Sequence, residues 1–246
     1  MDLGLQGRRA AVAAASAGLG LASAVALAAE GARVVICGRD RARLDEAAAR
    51  VGHGCVAVVQ DVADAAGGAA FVAAATEVLG GLDIVVANAG GPPPGTFAST
   101  PLEAYEPALD LNLLSVVGMA KAAIPAMQQQ RWGRFVAITS VSVRQPIPTI
   151  ILSNTSRAGV TGFLKTVARE VAPDGVTVNT VQPGLHATDR ALQLGDPSAM
   201  AAGIPVGALG DPADFGAIVT FLCSEQSKFV TGLQLHVDGG TYGGLQ

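Results

Sequence analysis

Aromatic side chains are scarce: they make up 4% of the 246 residues, with one tryptophan and two tyrosines, Tyr105 and Tyr242. A core must therefore be built from Ala, Val, Leu and Ile, and at 50% hydrophobic residues the chain can bury a large one. Lysine is confined to Lys121, Lys165 and Lys228, and the net charge is −4. With no basic stripe, nucleic acid is excluded as a main partner. The cysteines, Cys37, Cys55 and Cys223, are far apart in apolar runs and lack metal-ligand spacing. They are expected to be buried, reduced thiols in a cytoplasmic protein, with no metal site. Met1 to Arg9 contains no apolar signal-peptide core. No uninterrupted membrane span is expected either, and Leu21–Ala29, ending at Glu30 and Gly31, reads as a buried helix.

What the chain does have is glycine, 31 residues of it, placed between apolar runs and helical patterns. Strands are expected at Ala10–Ala14, Arg33–Cys37, Val56–Gln60, Leu82–Asn88, Arg134–Thr139, Val176–Val181 and Leu233–Val237. Helices are expected at Leu19–Ala29, Asp40–Val51 with Asp40 as cap, Asp64–Leu79, Ser153–Val171 and from Asp211 to Cys223. A further helical region starts at Thr100-Pro101-Leu102-Glu103, where Thr100 and Glu103 suggest a capping box. It runs toward Met127 with bends or ends at Pro107 and Pro125. Strand–helix alternation with short connections implies an α/β fold: one Rossmann-type, doubly wound parallel sheet of about seven strands, with helices on both faces. No linker divides residues 1–246, so a single domain is expected.

In such sheets a ligand lies beyond the carboxyl ends of the strands. After the first strand come Ala13-Ala14-Ala15-Ser16-Ala17-Gly18-Leu19-Gly20, where glycine lets the backbone approach a pyrophosphate at a helix N-terminus. Further on, in order, stand Asp61-Val62, Asn88-Ala89-Gly90, Asn112, Ser140, Pro183-Gly184 with Thr188, and Val237-Asp238-Gly239-Gly240.

This ordered set resembles the short-chain dehydrogenase/reductase family, and within it the 3-oxoacyl-acyl-carrier-protein reductase-like members, over residues 8 to 241. The resemblance implies a nicotinamide dinucleotide held by Ala14, Ser16, Gly18, Leu19 and Gly20 at the pyrophosphate. Asp61 and Val62 would flank the adenine, Asn88 and Gly90 would support the centre, and Pro183, Gly184 and Thr188 would line the nicotinamide end. Family members usually begin the glycine turn with Thr-Gly, where this chain has Ala13 and Ala14. Alanine resists positive φ, so a weakened or shifted cofactor contact is expected. Arg39 follows the second strand where an acidic residue would favour NAD; an arginine there favours the 2′-phosphate of NADP, with NAD as the alternative.

For catalysis the resemblance implies a serine, a tyrosine, a lysine and a supporting asparagine. Ser140 matches the serine and Asn112 the asparagine. The tyrosine place holds Ser153 and the lysine place holds Arg157. The following Ala158-Gly159-Val160 keeps the alignment in register. A serine hydroxyl is a far weaker acid than a phenol, and an arginine cannot give up its proton. Ser153 and Arg157, at i and i+4, share one helix face, and Arg157 can still donate to ribose hydroxyls. Water with an electrostatic contribution from Arg157, or His186 as acid or base, could take the phenol's place. The expected function is an NADP-dependent oxidoreductase of a small carbonyl or alcohol, placed in an atypical branch by the Ser153/Arg157 pair. The alternative is a nucleotide-binding sensor or scaffold. A homo-oligomer is expected, a tetramer by resemblance, and Leu185–Leu209 should set specificity.

Overall fold

The structure, a computed structural model, describes residues 1–193 and 195–245. Seven parallel strands form its centre in the order β3-β2-β1-β4-β5-β6-β7. They are β1 (Arg9–Val12), β2 (Arg33–Gly38), β3 (Val56–Val59), β4 (Ile84–Ala87), β5 (Gly133–Ile138), β6 (Val176–Pro183) and β7 (Gln234–Val237). Runs such as Val34-Val35-Ile36 and Ile84-Val85-Val86 are buried on both faces, as the middle of a parallel sheet requires.

One face is covered by α1 (Gly18–Ala29), α2 (Arg41–Val51) and α9 (Pro212–Leu222), which contribute Leu27, Leu44 and Phe215 to a single core layer. The other is covered by α3 (Ala65–Leu79), α5 (Ser115–Gln129) and α6 (Ile151–Val171), with Phe71, Met119 and Leu164 packed against Phe135 of β5. Asp40, Asp64 and Asp211 cap α2, α3 and α9 by accepting from first-turn amides. The chain crosses between the halves of the sheet after β3, passing through α3 to β4 beside β1. That reversal opens a crevice at the carboxyl ends of β1 and β4.

Several boundaries differ from the sequence reading. The first strand is Arg9–Val12 rather than Ala10–Ala14, because Ala14 turns into the left-handed region at φ 47°. Thr100 does not cap. The helical region begins as a 3-10 turn at Leu102–Ala104 with Pro101 at its N-cap, and Thr100 Oγ1 is buried without a partner among the described residues. Pro107 lies inside α4 (Tyr105–Leu109) and Pro125 inside α5; between these helices the chain widens into a π turn at Asp110–Leu114. The next long helix starts at Ile151, two residues before Ser153. Two short helices, α7 (Asp189–Leu192) and α8 (Pro197–Ala201), lie in the stretch expected to set specificity. Cys37 and Cys223 are buried as expected, whereas Cys55 is only partly so.

By length and composition alone the helical region Leu102–Gln129 is apolar enough to cross a membrane, although Glu103, Glu106, Asp110 and Lys121 interrupt it. Here α5 is a core helix instead, laid against α3 and β5 with Met119 and Met127 fully buried.

Candidate active site

A cleft of about 1230 Å³ opens at the carboxyl ends of the central strands. That exceeds the ~300–1,000 Å³ of a typical small-ligand pocket, so it has room for an extended ligand such as a dinucleotide. Its walls include Ala14, Ser16, Gly18, Leu19, Gly20, Arg39, Asp61, Val62, Asn88, Gly90, Arg157, Pro183, Gly184 and Thr188. The sequence had singled out every one of these as cofactor-contacting. No group of three metal-ligating side chains is gathered among the described residues.

The turn from β1 into α1 is held by Asn88, whose Nδ2 donates to the carbonyl oxygens of Ala13 and Ala14, both at 3.2 Å. A Cβ on Gly20 would sit 2.7 Å from that Nδ2 and 3.0 Å from the Ala14 oxygen, so only glycine lets the helix start this close. Gly18 takes φ +59°. Ala17, at the N-cap, offers no side-chain oxygen to the first-turn amides. These amides and the positive end of the α1 dipole suit a pyrophosphate. Ala14 keeps the left-handed conformation that a glycine would adopt more cheaply. Its amide approaches Cys37 Sγ at 3.4 Å. Burial pushes the Cys37 thiol up to about 12, leaving it a neutral packing group.

At the outer end of the cleft stands the exposed Arg39. Asp40 is not free to compete for a ribose, because its Oδ1 accepts from the Arg43 amide at 3.0 Å. Arg39 lines the cleft at the end of β2, and Asp40 does not.

At the inner end, the residues matched to the catalytic set divide. Arg157 reaches the cleft from α6, 8% exposed, and its Nη1 donates to the carbonyl oxygens of Ile138 and Thr139 at 3.1 and 3.3 Å. Burial, and then the charge of Arg190, lowers its pKa to about 10, which leaves it a cation at neutral pH. Asn112, Ser140 and Ser153 are not among the residues that line the cleft, and of the three Ser140 is only half-buried. The π turn brings Asn112 Nδ2 to the Gly90 carbonyl oxygen at 2.9 Å, where it supports the loop after β4. Ser140 Oγ accepts from the Ser142 amide at 3.1 Å and caps a short 3-10 turn. Ser153 is 9% exposed on the same face of α6 as Arg157.

His186 lines the cleft but is anchored by Gly184 and packed edge-on to Phe215, with ring centroids 5.1 Å apart. Burial lowers its pKa, so it is neutral at working pH. Neither tyrosine is in the wall: Tyr242 stacks on His236 at 4.7 Å, and Tyr105 begins α4 outside the lining. The Gly/Pro loop Gly90–Gly95 after β4 is pinned at its end, where the Gly95 amide donates to the Thr149 oxygen and the Ile151 amide to the Gly95 oxygen.

Sequence reasoning missed Arg190. It projects from α7 into the cleft and lays its guanidinium over Gly91, 3.2 Å from where a Cβ would be. Its one available signal was its place two residues after Thr188, inside a stretch with no readable pattern.

The family model described as Enoyl-(Acyl carrier protein) reductase matches residues 13–242. The 3-oxoacyl-(acyl-carrier-protein) reductase of Vibrio cholerae is 35% identical over 98% of this chain and 99% of its own. The L-rhamnose 1-dehydrogenase (NAD(P)(+)) of Azotobacter vinelandii is 35% identical over 94% of this chain and 95% of its own. Among solved structures, the L-sorbose reductase of Gluconobacter frateurii, complexed with NADPH and L-sorbose, superposes with a TM-score of 0.93 at 30% identity, covering 100% of both chains. With the strand order, the glycine turn and this end-to-end similarity in place, the chain belongs to the short-chain dehydrogenase/reductase family, among oxidoreductases related to 3-oxoacyl-acyl-carrier-protein reductases.

Proposed function

We propose that this protein is an NADP(H)-dependent oxidoreductase that interconverts a small carbonyl compound and its alcohol without a phenolic acid. The observation that carries this reading is the Arg157 guanidinium. It is tied by one nitrogen to the end of β5, while its Nε and Nη2 have no partner among the described residues. By the family resemblance Arg157 takes the place of the lysine that would meet the nicotinamide ribose, and those remaining donors would serve that contact.

The dinucleotide fits the residues present. Gly18, Gly20 and the uncapped start of α1 would hold its pyrophosphate, Val62 and Asp61 would border its adenine, and Arg39 would pair with its 2′-phosphate. When bound, it supplies a hydride to the carbonyl carbon. The chain has three remaining tasks. Arg157, itself buried, offers fixed positive charge to the oxygen as it becomes negative. Ser153 and Ser140 offer hydroxyls that orient water or the substrate. A proton reaches the oxygen from that water, since no tyrosine faces the cleft and His186 is held neutral in packing. The NADPH-bound sorbose reductase and the reductase relative support both cofactor and reaction class.

The chain is also proposed to assemble as a tetramer, as its family usually does. Phe97 and Leu102 are exposed before α4, and Phe229 is 99% exposed beside the unpaired edge of β7.

The test is a fluorescence titration with NADPH and NADH, followed by NADPH oxidation against a panel of ketones and 3-oxoacyl thioesters. Tight NADPH binding with turnover supports the reading. Binding with no turnover across the panel replaces it with a nucleotide-binding sensor, a reading favoured by the Ser153/Arg157 pair and by Ala14.

A further inference from the structure

The geometry points to an anion subsite between Arg157 and Arg190 that selects substrates carrying a carboxylate next to the reacting carbonyl, that is, 2-oxo acids and their 2-hydroxy products. This deepens the oxidoreductase reading and rests on it.

An arginine buried as far as Arg157 normally has a carboxylate against it, because an isolated interior charge is costly. Here no carboxylate lies within ion-pair distance among the described residues. Two main-chain oxygens take one nitrogen, and with part of the remaining fork proposed for the ribose, Arg157 adds charge to the subsite while the fork of Arg190 is the one free to pair with a carboxylate. Arg190 adds a second cation in the same wall. It too has no ion pair among the described residues, although Asp189 and Glu106 also line the cleft. The two guanidiniums are close enough for Arg190 to disfavour the charged form of Arg157. Arg157 is buried in the cleft wall and Arg190 is exposed at the same cleft, so an anion bound between them would meet one desolvated and one solvent-facing cation with no protein counter-ion in an ion pair with either among the described residues. A planar carboxylate matches a guanidinium fork with two parallel hydrogen bonds, which neutral carbonyl compounds cannot do.

The reaction remains balanced in this setting. The hydride forms the new C–H bond at C2, the carbonyl π pair moves onto oxygen, and water gives that oxygen its proton. The carboxylate is not consumed. Held by Arg190, it fixes the orientation of a ketone that Ser153 cannot orient as a tyrosine would.

The anion could instead be the cofactor's own pyrophosphate, and the experiment separates these sources. Oxamate, a stable 2-oxo acid analogue, and its neutral counterpart oxamide are titrated calorimetrically into the protein alone and into the NADPH-loaded protein. The same is done for Arg190→Gln, an exposed position on a short helix whose change leaves the core untouched. The expected result is oxamate binding about tenfold or more tighter than oxamide, with that preference lost in Arg190→Gln. Equal binding of oxamate and oxamide overturns the proposal. So does an Arg190→Gln variant that keeps the oxamate preference but loses NADPH affinity, because the anion is then the pyrophosphate. A protein that prefers oxamate but binds no NADPH upholds the subsite and refutes the oxidoreductase reading.

Discussion

The Arg157 guanidinium donates to the Ile138 carbonyl oxygen at 3.1 Å, which ties the middle of α6 to the carboxyl end of β5 where chemistry is expected. This bond orients the cation but uses a nitrogen that a lysine would leave free for the ribose. One turn earlier, Ser153 lacks the acidity of a phenol. Restoring both groups should therefore restore the ordinary reaction. The Ser153→Tyr, Arg157→Lys double variant is expected to raise kcat/KM on simple ketones by about 10²–10⁴-fold, the usual worth of a general acid. Steady-state NADPH oxidation measures it. No gain would mean that the surrounding wall, and not the missing phenol, limits turnover.

Ala14 occupies φ 47° because its neighbours leave it no other choice. Asn88 clamps the carbonyls on both sides, and the Ala15 amide is bonded to Cys37 oxygen at 2.9 Å. An L-residue in this region costs roughly 1–2 kcal/mol relative to glycine. Ala14→Gly removes that cost but gives the unfolded chain more freedom, at about 0.5–1 kcal/mol. The net expectation is a small stabilisation of up to ~1 kcal/mol, or a Tm rise of a few degrees, with NADPH binding tightened because the methyl no longer borders the pyrophosphate. Differential scanning calorimetry and a fluorescence titration check the two halves. A lower Tm would show that alanine is not strained there.

Arg39 sits at the end of β2 with Asp40 occupied at the start of α2. If the guanidinium pairs with a 2′-phosphate, Arg39→Asp removes a charge-assisted contact worth about 1.5–3 kcal/mol and adds repulsion. NADPH affinity should fall by about 10–100-fold, while NADH affinity holds or improves through a carboxylate–ribose bond. Parallel titrations with the two cofactors give the ratio. A ratio unmoved by the substitution would place Arg39 in solvent.

The sheet was legible because its strands are short Val-, Ile- and Ala-rich runs separated by capped helices. Asp40, Asp64 and Asp211 announced three helix starts correctly. Gly18, Gly20 and Arg39 were legible as candidates because each follows a strand, and Arg157 because the family resemblance puts the lysine place there; the fold gathers them into one cleft. Thr100 was misread because local spacing cannot tell a capping box from a 3-10 entry that puts Pro101 at the cap. The π turn around Asn112 was invisible because its residues are ordinary helix formers; the wider turn is visible only in how it brings Asn112 to Gly90. Arg190 was unreadable because its role depends on where α7 falls over Gly91, a tertiary matter that no local pattern encodes.

At the opposite end of the sheet, Arg9 and Asp83 join β1 to the start of β4 and make a pH-dependent contribution to stability. Arg9 Nη2 lies 2.7 Å from Asp83 Oδ1, and Oδ2 accepts from both Arg9 Nε and the Arg9 amide at 2.9 Å. Burial pushes the Asp83 carboxyl up, but the hydrogen bonds and charge of Arg9 outweigh it and hold the group below its usual range. A carboxyl depressed on folding adds stability above its unfolded pKa, near ~3.9, and loses it as pH falls through the folded value. The pair should thus be fully effective at neutral pH and fail only below about pH 4. Asp83→Asn is expected to destabilise by about 1–3 kcal/mol at pH 7, because it breaks a buried charge-assisted network while keeping its shape. At pH 3 the variant and the parent should approach each other. Urea unfolding at both pH values reads the difference. A gap as large at pH 3 as at pH 7 would assign the loss to packing and remove the ion pair from the account.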